Sequence, residues 1–203
     1  MDFFEALTHY GFLQRAVAAG LLAAVGCGLI GTWVVVRRIS FVAGGIAHAV
    51  LGGMGAALFF GFSTTAGALA AAVLSALLIG LISLRWKERE DTLISAVWAI
   101  GMAVGILFIA ATPGYQVDLV SYLFGNILMV SGTHLWTMLA LDLFLLVMLL
   151  LFHRQFEAVV FDEEFALLRG VPVTLFYLLL LCMIAVTVVL LMQVVGLILV
   201  IAL

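Results

Sequence analysis

Few residues of this 203-residue chain could do chemistry, and the notable ones sit where such groups are costly. His48 lies in the middle of the apolar stretch Phe41–Gly61. Gly44, Gly52 and Gly55 share nearly one helical face with it. An imidazole flanked by residues without side chains leaves room for a facing helix, for water or for an ion. A structural hydrogen bond and a place on a transport path are both open readings of such a group. Asp142 stands near the centre of another apolar stretch, His134–Phe152, and must face other helices there, paired or protonated. It reads either as a structural partner for a polar group or as an ion-handling carboxylate. Gln193 and Asn126 are weaker cases of the same kind. Asp118 is the only charge between Thr112 and Thr133, which makes it either a solvated loop acid or a contact for an arriving cation.

Several chemistries have no residues to support them. The chain carries no GxxxxGK[ST] phosphate loop, so it supplies no nucleotide site of that type. HExxH, GxSxG and clustered Cys/His patterns are likewise missing, so the sequence supports neither proteolysis nor a structural zinc. Cys27 and Cys182 each fall inside an apolar run and read as small packing residues. The expectation is a non-catalytic chain with no bound cofactor and no nucleic-acid partner.

The elements that must position these residues follow from hydropathy. Sixty-seven per cent of the residues are hydrophobic and only 9% are charged, with the charges gathered in short clusters. Six apolar runs are predicted as spans: Arg15–Val36, Phe41–Gly61, Thr64–Leu84, Thr92–Ala111, His134–Phe152 and Thr174–Met192. Each has about 20 residues, enough to cross a bilayer as a helix. A partial seventh, 193–203, is expected to begin near Gln193, and its shortness suggests a fragment of a longer chain. The fold class is therefore all-α, a polytopic helical membrane protein forming a single transmembrane domain over 1–203, with the lipid bilayer as its surroundings.

Basic residues set the expected orientation. Arg37 and Arg38, then Arg85, Lys87 and Arg89, then Arg154 and Arg169 fall on one side, leaving only Arg15 on the other. The positive-inside rule makes those loops cytoplasmic and the N-terminus external. Met1–Gln14 holds Asp2 and Glu5 but no Lys or Arg, unlike a secretory signal. The net charge of −3 is spread over both sides and decides nothing.

Two connections are unusual. Asp118–Met129 is amphipathic and is expected to pack into the bundle as a re-entrant or short helical segment. The stretch 161–171 carries a helix signature, with Asp162 as N-cap, Glu163 and Glu164 at the positive end, Arg169 at the negative end, and Gly170 with Pro172 as the stop. Phe161, Phe165 and Leu168 are expected along one side of it, an apolar edge suited to docking on a cytoplasmic protein. Three acids against one base argue against a headgroup-bound helix.

Taken together, several segments resemble a known family. Arg37-Arg38-Ile39-Ser40-Phe41, running into Gly45-Ile46-Ala47-His48-Ala49-Val50-Leu51, resembles the second-span signature of the zinc- and manganese-type ABC importer permeases. Asp118–Leu128 resembles their outer-loop signature, and Phe161–Ala166 with Gly170-Val171-Pro172 resembles their ATPase-contacting segment. Val195–Leu203 is similar to the start of a later span. The family commonly has an Asp four residues before the histidine and a Pro four after it, where this chain has Gly44 and Gly52, so the motif does not name the metal.

The resemblance implies the membrane subunit of an ATP-driven importer of divalent transition metal ions, zinc or manganese before iron. It further implies a permease homodimer, cytoplasmic ABC ATPase subunits that bind the ATP, an extracytoplasmic metal-binding protein, and a bacterial or archaeal cytoplasmic membrane. His48 and Asp118 would then line the metal's path. The segment from Phe161 through Asp162, Glu163, Phe165 and Leu168 would couple to the ATPase. A neutral imidazole suits a borderline metal such as zinc. A proton- or sodium-coupled secondary transporter is the alternative, with His48 and Asp142 as relay groups, but it should show internal repeats, and none is clear.

Overall fold

The computed structural model describes residues 3–85, 90–113 and 125–202, and among these the secondary structure is helical. A short α1 (Phe3–His9) leads into α2 (Gly11–Arg37), α3 (Ser40–Phe60), α4 (Thr64–Arg85) and α5 (Glu90–Ala111). A 3-10 turn (Ile127–Met129) precedes α6 (Gly132–Phe161), the short α7 (Glu163–Leu168) and α8 (Val173–Ala202). Six of these helices are long and apolar enough to cross a membrane. In lipid every backbone N–H and C=O must bond internally, and a helix does this within one segment.

Helices α3 and α8 form the centre. Residues on most sides of α3 are buried, including Val42, Ile46, Ala47, Val50 and Ala57. It packs between α4 and α5, while α8 touches α2, α3, α4 and α6. The outer helices keep large apolar side chains exposed, among them Leu21, Leu107 and Leu150. In a bilayer such a surface meets acyl chains rather than water.

Glycine decides how close α3 and α5 come. A Cβ at Gly52 would meet the Gly101 carbonyl oxygen at 3.0 Å, and one at Gly55 would meet that of Gly105 at 2.5 Å. Backbone rests on backbone, as small residues permit in membrane bundles. Gly53 meets Gly67 of α4 in the same way on the opposite side.

The fifth predicted span is longer than expected. Hydropathy ends it at Phe152, but α6 continues to Phe161, with a departure from helical geometry at Phe152 itself (φ −116°, ψ 19°). The extension is amphipathic: Phe156, Val159 and Val160 are buried, and His153 and Glu157 pair across one turn at 3.3 Å. Hydropathy reads the polar Arg154 and Gln155 as an exit from the bilayer, whereas the helix only needs one apolar face to continue.

Two further boundaries differ. Phe161 closes α6 rather than opening the next helix, which begins at Glu163 after Asp162. The short helix is capped as its sequence dictates: Asp162 accepts a hydrogen bond from the Phe165 N–H at 2.9 Å, and Gly170 takes φ 75° behind it. No break occurs at Gln193, where the seventh segment was expected to start. Helix α8 runs on through it and is interrupted at Gly196 (φ 77°, ψ 169°), a conformation open essentially to glycine alone. Gly125, in the connection between α5 and α6, backs onto that interruption, so tightly that a Cβ there would collide with the Val195–Gly196 backbone.

Candidate functional site

His48 is 8% exposed and stacks flat on the indole of Trp98 in α5, with ring centroids 4.0 Å apart and planes 9° from parallel. Trp98 is held in turn by Phe41 on one side and by donating its indole N–H to the Met102 sulfur at 3.1 Å. The glycine face beside His48, with room for a facing helix, for water or for an ion, is filled by a helix, α5. Glycine allowed the approach, and the neighbour took the space. The His48 Nδ1 is buried and has no hydrogen-bond partner among the described residues.

Asp142 lies elsewhere. It is 5% exposed where α2, α6 and α8 meet, and neither carboxylate oxygen has a partner among the described residues. Its Oδ1 rests against Gly26: a Cβ added there would be 2.9 Å from that oxygen and 3.8 Å from the Thr187 methyl. Thr187 returns its own hydroxyl to the Met183 carbonyl at 3.0 Å, as a threonine inside an apolar helix commonly does. Neither Gly26 nor Thr187 stands out as a site residue in the sequence. Thr187 was visible as a polar residue within an apolar run, but Gly26 resembled every other small packing residue.

Two crevices open in the bundle. One, of about 270 Å³, lies among α3, α4, α6 and α8 beside the 3-10 turn, with Met54, Thr64, Asn126, His134 and Met192 in its wall. The other, of about 400 Å³, lies between α2, α3 and α8, with Cys27, Thr32, Ser40 and Thr187 in its wall. Neither His48 nor Asp142 lines either crevice. Asn126 also caps the 3-10 turn by accepting from the Leu128 N–H at 3.2 Å. The described residues contain no group of three His, Cys, Asp or Glu able to enclose a metal. Asp118 lies outside the described residues, and of Gln193 only the backbone, within α8, is described.

The residues expected to meet an ATPase divide into two sets. Phe161, Phe165 and Leu168 are 73%, 45% and 87% exposed, with Ala166 buried beneath them as the anchor of α7. The Arg169 guanidinium lies 4.8 Å over the Phe165 ring. Asp162 and Glu163 are engaged within the permease instead, Asp162 at the surface as the cap of α7 and the half-buried Glu163 in an ion pair with Arg37.

Relatives fit this architecture over nearly its whole length. An uncharacterized membrane protein of Synechocystis is 45% identical over 195 residues, covering 96% of this chain and 69% of that protein. A manganese transport system membrane protein, MntC, of Halalkalibacterium halodurans is 37% identical over 200 residues, covering 98% of this chain and 68% of its own length. The chain thus spans about two thirds of the length of these relatives. Among solved structures, PsaBC from Streptococcus pneumoniae in complex with Fab superposes with a TM-score of 0.85 at 29% identity, covering 98% of this chain and 72% of that one. The sequence profile of the ABC 3 transport family matches residues 9–203, and the chain belongs to that family.

Proposed function

We propose that this chain is the membrane subunit of an ATP-driven importer that moves a divalent transition metal ion, manganese or zinc before iron, into the cytoplasm. The observation that carries this reading is the family match over residues 9–203, which takes in both the spans and the exposed α7. The name of the Halalkalibacterium relative supports manganese as cargo. The chain performs no covalent chemistry, and ATP is hydrolysed on a separate subunit docked at Phe161, Phe165 and Leu168. A second copy of the permease and an extracytoplasmic metal-binding protein complete the assembly. The basic loops face the cytoplasm and the N-terminus faces outward.

Within the bilayer, His48 serves the metal's path, and Asp118 meets the ion on the outer side. A buried polar atom without a partner calls for an explanation, and the His48 Nδ1 is such an atom among the described residues. A transient metal contact would satisfy it, and binding must stay weak enough to release the ion. The test is uptake of manganese-54 or zinc-65 into proteoliposomes holding the permease with its ATPase. ATP-dependent accumulation is expected. Uptake driven by a proton or sodium gradient without ATP would overturn the reading.

A further inference from the structure

Arg37, the last residue of α2, is bound more heavily than its place at a helix end requires. One guanidinium nitrogen donates to the carbonyl oxygens of Val159 at 3.2 Å and Val160 at 3.4 Å. These carbonyls belong to the final turn of α6 and have no acceptor role within their own helix. The other nitrogen pairs with the Glu163 carboxylate in the first turn of α7. The same group lies 5.4 Å over the Tyr177 ring at the start of α8. Four helices therefore converge on one planar cation, and both members of the ion pair are largely shielded from solvent. Only a guanidinium offers this fork of donors, since a lysine provides a point charge.

The neighbourhood makes this contact mechanical. Asp162 is the single residue between α6 and α7, an extended joint (φ −152°, ψ 97°) at which the helical path is broken. At the other end of the contact α2 stops rigidly, with Arg38 in the left-handed region (φ 59°) and its N–H bonded back to Val35 at 3.1 Å. Helix α2 in turn walls the crevice of about 400 Å³ that it shares with α3 and α8.

We propose that Arg37 is the positioning residue of the ATPase-facing helix: it locks α7 to the ends of α2 and α6, so that a displacement of α7 is passed to α2 instead of being lost at the Asp162 joint. This rests on the importer reading above. The consequence is that Glu163 belongs to the transmission inside the permease and not to the surface that meets the ATPase.

Two measurements on the permease test it: amide hydrogen exchange over residues 161–170 in lipid nanodiscs, and metal taken up per ATP hydrolysed in proteoliposomes with the ATPase. Arg37→Gln is expected to speed exchange in that segment roughly tenfold and to lower uptake per ATP by a similar factor, as the loss of charge-assisted bonds dictates. ATPase binding should persist, because Phe165 and Leu168 are untouched. Arg37→Lys, which keeps the charge but not the fork, should fall between. Glu163→Gln leaves Arg37 on the α6 carbonyls and should shift both readouts the same way, even if Arg37→Gln fails to insert. Unchanged exchange, or faster exchange with uptake per ATP intact, overturns the proposal. Faster exchange in a permease whose wild type moves no metal with ATP keeps the clamp and removes the importer reading.

Discussion

At the scale of single residues, the two buried polar groups make separate demands. His48→Leu keeps the apolar stack on Trp98 but removes both nitrogens, and an apolar group cannot ligate a partly dehydrated cation. Metal uptake is expected to fall at least tenfold, on the order of 1.4 kcal/mol, with assembly intact. Gln at this position should preserve assembly without restoring most of the transport. Normal uptake by His48→Leu would return the residue to a purely structural role. Asp142 predicts through its neighbour. Gly26→Ala would push a methyl to 2.9 Å from Oδ1, an overpacking that should cost about 1–3 kcal/mol of stability. Thermal unfolding of the double variant with Asp142→Ala should show less than the sum of the two losses, because the clash requires both groups. The isolation of His48 and Asp142 was legible in the sequence, since each is a polar residue amid apolar ones. What stands against them was not. Gly44, Gly52 and Gly55 mark a face where something can come close, but only the packed bundle shows that α5 does so.

Among elements, the short α7 offers the sharpest expectation. Its six residues hold Ala166 inward and present Phe165 and Leu168 outward, an arrangement that gives a partner few but large apolar anchors. Phe165→Ala should weaken association with the ATPase by about 2 kcal/mol, readable as a roughly thirtyfold loss in a pull-down titration, while the permease inserts normally. Unaltered association would place this face against lipid headgroups. The caps of this helix were readable in advance because Asp, Gly and Pro act locally, through their own backbone geometry. The extension of α6 past Phe152 was not readable by hydropathy, which averages over all faces, and here one buried stripe of Phe156, Val159 and Val160 decides. Gln193 failed as a boundary for the opposite reason. A polar side chain does not end a helix in a crowded bundle, whereas Gly196 can adopt the backbone that interrupts one.

For the whole molecule, the six spans among the described residues follow from length and apolarity, and the positive-inside rule supplies a prediction of orientation. With Cys27 and Cys182 replaced, a Gln116→Cys variant should be modified by a membrane-impermeant maleimide added outside, and a Lys87→Cys variant should be spared. The reverse pattern would invert the protein in its membrane. The way α3 meets α5 has a bearing on how such a molecule can move. Where peptide planes touch with no side chains between them, there are no rotamers to absorb a change of tilt, and a small rotation drives one carbonyl into the next chain. The two helices must therefore travel as a single plank. The crevices between α3, α4 and α8 and between α2 and α8, by contrast, are walled by pliant side chains such as Met54, Met192 and Leu191, so those seams can yield while the α3–α5 contact holds.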